Sequence, residues 1–215
     1  MSCSPQVAEQ LEQQPPMEQE RRELLQKALK FYEDLAQKDG PGAAERQEAA
    51  KARRHIGDIR LKLGDLPQAE QAYRQAVAVQ KQLVTDFPDR PEYRRDLADT
   101  LGRLADVLVS RGDHAEAAKV AEELPGVLPK TGQAFFDAAR TLARCVPLAE
   151  KDAKLPEAKR KELAKKYGDR AVELLRQAVA KGYRDAGPLR KDPAFAPLRS
   201  RADFQKVQAE LEKAR

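Results

Sequence analysis

Two stretches of this chain, 48 residues apart, align without a gap. Leu35 matches Leu83, Arg46 matches Arg94, Ala50 matches Ala98, and Asp58 matches Asp106. Further on, Gly64, Asp65 and Ala69 match Gly112, Asp113 and Ala117. Self-similarity at a fixed period means that one supersecondary unit is used repeatedly, each copy burying its apolar face against the next. The fullest copy runs from Arg53 to Val79 and holds two amphipathic helical patterns. Ile56, Ile59 and Leu63 recur at helical spacing in the first, and Ala69, Ala72, Tyr73, Ala76 and Val77 in the second. Between them, Gly64 can take the left-handed conformation that ends a helix, and Asp65 can cap the next. Gly57, Ala69 and Ala76 are small where the two helices must come close, so the unit is an antiparallel helical hairpin.

Composition agrees with helices throughout. Aromatic residues make up 5% of the chain, Trp is absent, and Leu, Ala, Arg, Lys, Glu and Gln dominate. That favours helices packed through small aliphatic side chains over a β-sandwich or barrel, so the fold class is all-α. The net charge of +5 is local: residues 150–191 hold 13 basic and 7 acidic side chains, whereas residues 1–149 hold 22 and 24. Cys3 and Cys145 are too few and too distant for a disulfide framework, and Cys145 sits in an apolar helical run. No stretch of about 18 apolar residues is present, so no membrane span is expected. Residues 1–20 lack the apolar core of a signal peptide. A cytoplasmic location follows as the expectation.

The organisation expected along the chain is a disordered lead-in over residues 1–16 and a helical repeat domain over residues 17–215. The repeats fall at about 29–76, 77–124 and 131–182, with a cap over 185–213. Helices are predicted from Met17 to Lys38, Ala43 to Leu63, Pro67 to Asp86, Glu92 to Arg111 and His114 to Leu124. The run Asp39, Gly40, Pro41, Gly42 ends the first of these, and Pro125 ends the last. A third, degenerate hairpin takes Phe135 to Val146 as one helix. A charged insertion follows from Glu150 to Lys166, and then a return helix around Ala171 to Val179. In the tail, Asp192 before Pro193 opens a helix, and Phe195, Leu198, Phe204 and Leu211 seal the stack.

The hairpin resembles a tetratricopeptide repeat (TPR), with Gly57, Gly64, Asp65, Ala69, Tyr73 and Ala76 at that family's small, turn and large positions. Two positions depart from it: Arg53 stands where an aromatic is common, and Lys81 where proline is common, so the second helix is expected to run on. The usual TPR period is about 34 residues, so these helices are lengthened. Over roughly residues 20–212 a narrower likeness appears, carried by Cys145 to Asp152 and by Val172 to Leu198. It is similar to the helical-repeat regions that follow the catalytic domain in planctomycete-type bacterial serine/threonine protein kinases. The resemblance implies a TPR-like right-handed α-solenoid of about three extended hairpins with a C-terminal helical cap.

Catalytic patterns are missing from the sequence. There is no glycine-rich loop, strand lysine or catalytic-loop Asp of a kinase, no P-loop, no nucleophile elbow and no HExxH helix. His55 and His114 stand alone, without the paired ligands of a zinc site, and are expected to be structural or surface residues. Tyr73, Tyr93 and Phe135 read as core. No enzyme activity, cofactor or metal is therefore expected.

Three functions compete. The first is a non-catalytic scaffold that binds a peptide or partner protein, with a homo-oligomer compatible with it. The second is the regulatory or oligomerising C-terminal segment of a kinase whose catalytic domain is absent. The third, nucleic-acid binding through residues 150–191, is the least favoured, because Lys159, Arg160, Lys161, Lys165 and Lys166 lack interleaved aromatics. By the family's register, the groove of the scaffold is lined by Lys51, Arg54 and Asp58 in one repeat, Asp99 and Asp106 in the next, and Arg140 and Arg144 in the third. Lys51 and Arg54 are expected on a solvent face apart from Ile56, Ile59 and Leu63, so that reversing their charge costs little stability.

Overall fold

The computed structural model describes residues 15–213 apart from 38, 39 and 41. Among these, every regular element is helical. The order is α1 (Pro15–Ala36), α2 (Ala43–Lys62), α3 (Leu66–Asp86), α4 (Pro91–Ser110), α5 (His114–Val127), α6 (Gly132–Lys151), α7 (Glu157–Ala180), α8 (Gly187–Lys191), a 3-10 turn (Pro193–Leu198) and α9 (Ala202–Lys213). The expected lead-in lies outside the described residues as far as residue 14. So do Asp39 and Pro41 of the first break. None of the described helices is long and apolar enough to cross a membrane.

The turns explain the sequence match. Gly64, Gly112 and Gly182 have φ of 82°, 76° and 89°, a region that side chains with a Cβ avoid. In each turn the next amide reaches five residues back: Asp65 to Arg60 O, Asp113 to Leu108 O and Tyr183 to Ala178 O, all at 2.9 Å. These bonds satisfy carbonyls that the ending helix leaves open. The Asp65 carboxylate then accepts the Gln68 amide at 3.2 Å, and Asp113 accepts that of Glu116 at 3.1 Å, so one dipeptide closes a helix and opens the next. At the third turn Tyr183 replaces the aspartate, and no helix follows directly.

The first two turns each fold their helices back on one another, as α2 and α3 show through Asp58 to Tyr73 and Arg46 to Asp86. Every second helix then runs side by side in the same direction. Gln47 and Asp58 of α2 meet Asp96 and Arg103 of α4, and Asp106 of α4 meets Arg144 of α6. In the return row, Arg74 and Lys81 of α3 meet Glu116 and Glu123 of α5, and Arg170 of α7 meets Glu122 of α5. The core fills the space between the two rows, with Tyr73, Leu83, Leu101, Leu108, Leu142, Leu174 and Leu175 almost wholly buried. Each such side chain contributes about 1.5–3 kcal/mol through burial alone. The tail folds over α6 and α7: Phe195 lies 5.5 Å from Phe136 and 5.9 Å from Phe204, ring to ring. Arg201 ties it to α7 through Asp169 at 2.6 Å and is itself held by Asp203 of the tail at 2.7 Å. Asp192 caps the 3-10 turn ahead of Pro193, accepting the Ala194 amide at 2.9 Å.

Two expectations fail on proline. Helix α5 continues through Pro125 to Val127, and α6 spans Gly132–Lys151 through Pro147, longer than the expected Phe135 to Val146. A proline removes only its own amide from the ladder, and the next bond after Pro125 still forms, Leu128 to Leu124 O at 3.1 Å. The charged stretch from Glu150 to Lys166 is not an insertion either. It closes α6 and, after a short link, supplies the first turns of α7. There Lys159, Lys161 and Lys165 pair along the helix with Glu162, Glu157 and Asp169 at 2.6–2.9 Å.

Candidate functional site

The row formed by α2, α4 and α6 carries all seven groove candidates, and its two junctions are built differently. At the first, α2 against α4, Gly57 leaves room for the Tyr73 ring. A Cβ on Gly57 would stand 2.5 Å from a ring carbon. The ring therefore slides between helices and its hydroxyl donates to Asp58, one residue along, at 2.7 Å. Asp58 also takes Arg103 from α4 at 2.8 Å, and Arg54 bridges Asp58 and Asp99 at 3.8 and 3.3 Å. Burial, together with the Asp58 carboxylate, pushes the Tyr73 hydroxyl far above its ordinary pKa. His55, beside Asp58 and stacked near Tyr32, is held below its ordinary pKa by burial and by Arg54. The junction is closed and its charges are spent on one another.

At the second junction, α4 against α6, the corresponding aspartate is Asp106. Its side chain is 51% exposed, against 19% for Asp58, and it pairs with Arg144. The residues that close the first junction have changed: Gly102 stands where Arg54 does one repeat earlier, and Ala121 where Tyr73 does. Nothing lies within 4 Å of where a Cβ on Gly102 would be. The return helix is shorter as well, α5 having 14 residues against 21 in α3. Together these changes leave a cleft of about 490 Å³ between α4 and α6. Its floor is Ala98, Gly102, Ala134, Leu124 and Leu128 with the buried Thr141, and its rim is Arg95, Asp99, Arg103, Asp106, Thr131, Gln133, Asp137 and Arg140.

The charges on this rim are unequally committed. Arg103 is held by Asp58 and Asp99, Arg140 by Asp192 at 2.9 Å, and Asp106 by Arg144. Asp137 accepts a hydrogen bond from Gln133 Nε2 at 2.9 Å and makes no ion pair among the described residues. Burial holds its carboxyl above the ordinary value, partly offset by Gln133 and Arg140. Across the cleft Asp106 lies near enough to Asp137 to add to the upward shift, and both line the same opening with Asp99, Arg95 and Gln133. Arg95 is exposed and likewise without an ion pair among the described residues.

The structure thus places Arg54, Asp58 and Asp99 in one network, joins Asp106 to Arg144, and turns Arg140 to the tail. Lys51, a turn before Arg54, pairs only with Glu48 of its own helix at 3.0 Å. The expectation that Arg54 is freely exposed is corrected. Its side chain is 19% exposed and sits between two carboxylates, so an acidic residue there would face Asp58 and Asp99 across a few ångströms. The burial of α2 falls on Ala49, Ala50, Ala52, Gly57 and Ile59, while Ile56 and Leu63 are half-buried. Sequence reasoning did not single out Arg95, Gly102, Arg103 or Asp137. The signal for Gly102 was available, as a glycine inside a strong helical pattern opposite an arginine in the other copy. Asp137 carries no comparable signal.

Elsewhere the polar groups are structural. His114 is buried, with Nδ1 3.0 Å from the Tyr167 hydroxyl and Nε2 3.2 Å from Asp152. Cys145 is wholly buried, and burial pushes its thiol up to about 12, which keeps it unreactive. Among the described residues no three His, Cys, Asp or Glu side chains gather to hold a metal. No family model and no curated protein matches the chain.

Proposed function

We propose that this chain is a TPR-like right-handed α-solenoid that works as a non-catalytic cytoplasmic scaffold, holding an extended segment of a partner protein along the row formed by α2, α4 and α6. Supporting the solenoid are the shared turns, the two parallel rows and a tail whose aromatic residues cover the last hairpin. The observation that carries the binding role is the open cleft beside Gly102. Glycine inside a helix costs roughly 0.5–1 kcal/mol relative to alanine, and here no neighbouring atom requires it. A residue kept small against open space suits a site where another chain lies close to the helix. The test is selection of a displayed random 12-residue peptide library on the whole protein, repeated on Gly102→Arg, which restores the residue of the first repeat. Peptides selected by the wild type should be lost by the variant. Equal capture by both would rule out this cleft as the groove.

A further inference from the structure

Building on that groove assignment, we infer that the cleft between α4 and α6 is a pocket for a single lysine or arginine side chain of the bound segment, with its charged head at Asp137 and its aliphatic stem along Ala98, Ala134 and Leu128.

The geometry selects this occupant in three steps. First, among the rim charges the carboxylates of Asp99 and Asp106 already have arginine partners, whereas Asp137 makes no ion pair among the described residues: it accepts the amide of Gln133, and the nearby Arg140 is itself paired with Asp192. An incoming cation gives this half-buried carboxylate the partner that the protein withholds. Second, apart from Thr141 the floor carries small or aliphatic side chains, which suits the methylene stem of a long basic side chain that keeps its head at the polar rim. A histidine or a bare ammonium would leave that floor uncovered. Third, Gly102 opens the α4 wall of the cleft that Asp137 lines from α6, so the segment's backbone can approach closely enough for its side chain to reach in. Arg95, exposed on the same rim and without an ion pair among the described residues, opposes a second cation beside the first. The pocket therefore takes an isolated basic residue flanked by neutral or acidic ones, not a polybasic run.

The experiment uses the peptides selected from the same 12-residue library, synthesised with a fluorophore and titrated against wild type, Gly102→Arg and Asp137→Asn. The asparagine keeps the acceptor for Gln133, and helicity by circular dichroism checks each variant. Selected peptides should share one Lys or Arg, and changing it to Met should weaken binding about tenfold. Asp137→Asn should weaken the parent peptide by the same factor, and the two changes together should do no more than either alone. Carbon-detected titration of the Asp137 carboxyl in the wild type gives a reading independent of any variant: its pKa should fall when the basic peptide is added. Peptides without a shared basic residue, full binding by Asp137→Asn, or an unmoved Asp137 titration would overturn the pocket while leaving the groove. No selected peptide, or binding that survives Gly102→Arg, would overturn both.

Discussion

The aspartates of the two repeats occupy equivalent places and have opposite surroundings. Asp58 is walled in by Tyr73, Arg54 and Arg103, so the junction of α2 with α4 is a cohesive seam. Asp106 keeps one arginine, and its own helix is bare at Gly102 one turn earlier, so the junction of α4 with α6 is an opening. The backbone turn is the same in both cases, and so is the cap. What separates them is a pair of exchanges, Arg54 for Gly102 and Tyr73 for Ala121. Repetition fixes where helices go, and a few side chains at equivalent positions decide whether the gap between them is filled.

The comparison can be broken most severely at Tyr73. Replacing this fully buried ring by alanine should cost about 3–5 kcal/mol in denaturant unfolding, since it removes the plug of the closed seam. A loss below about 1 kcal/mol would mean that the seam does not depend on the plug. Next come two identical substitutions with opposite signs. Gly57→Ala forces a methyl into the Tyr73 ring and should destabilise by roughly 1–3 kcal/mol. Gly102→Ala meets open space and should stabilise by roughly 0.5–1 kcal/mol, read as a higher melting temperature. Equal signs for the pair would erase the distinction between the junctions.

A smaller contrast lies in the aspartates themselves. Asp58→Asn should cost about 1–3 kcal/mol because it weakens two charge-assisted hydrogen bonds in a half-buried network. Asp106→Asn should cost about 0–1 kcal/mol, as expected for an exposed pair. The smallest effect is read as a pH dependence. The Asp137 carboxyl is held above its unfolded value of 3.8, so the folded state binds its proton more tightly. Its contribution to stability is therefore best at low pH and falls as pH rises from that value through the folded pKa. Asp137→Asn should thus stabilise the protein at pH 7, with the gain vanishing below about pH 4. A variant less stable than wild type at neutral pH would show that Asp137 has a cationic partner within the fold.

The all-helical class and the two hairpins were legible because their signals are local. Gly64 and Gly112 need a backbone conformation that few residues adopt, and Asp65 and Asp113 cap from three residues away. Pro125 and Pro147 misled because their cost depends on which carbonyls tertiary packing leaves satisfied. The seven groove candidates share the row of α2, α4 and α6, but their partners were hidden. Arg103 meets Asp58 across 45 residues, and Arg140 meets Asp192 across 52, distances at which no helical periodicity speaks. Asp137 is the clearest case: its isolation is a property of what fails to surround it.

Helix α1 rests on α2 through few groups: Arg60 to Glu33, Arg53 to the Ala36 carbonyl and the Tyr32–His55 ring pair. Leu24 and Phe31 point outward, 66% and 63% exposed, and among the described residues of the helix Leu29 and Ala36 are the buried ones. Such a helix can detach without disturbing the rows behind it. Amide hydrogen exchange should accordingly be fastest in α1 and slowest in α6 and α7, with local opening in place of a single all-or-none event. Uniform protection from α1 to α7 would instead mark one cooperative unit. If α1 does open separately, it exposes the outer face of α2, and the molecule then has a moving part at the opposite side of α2 from its cleft.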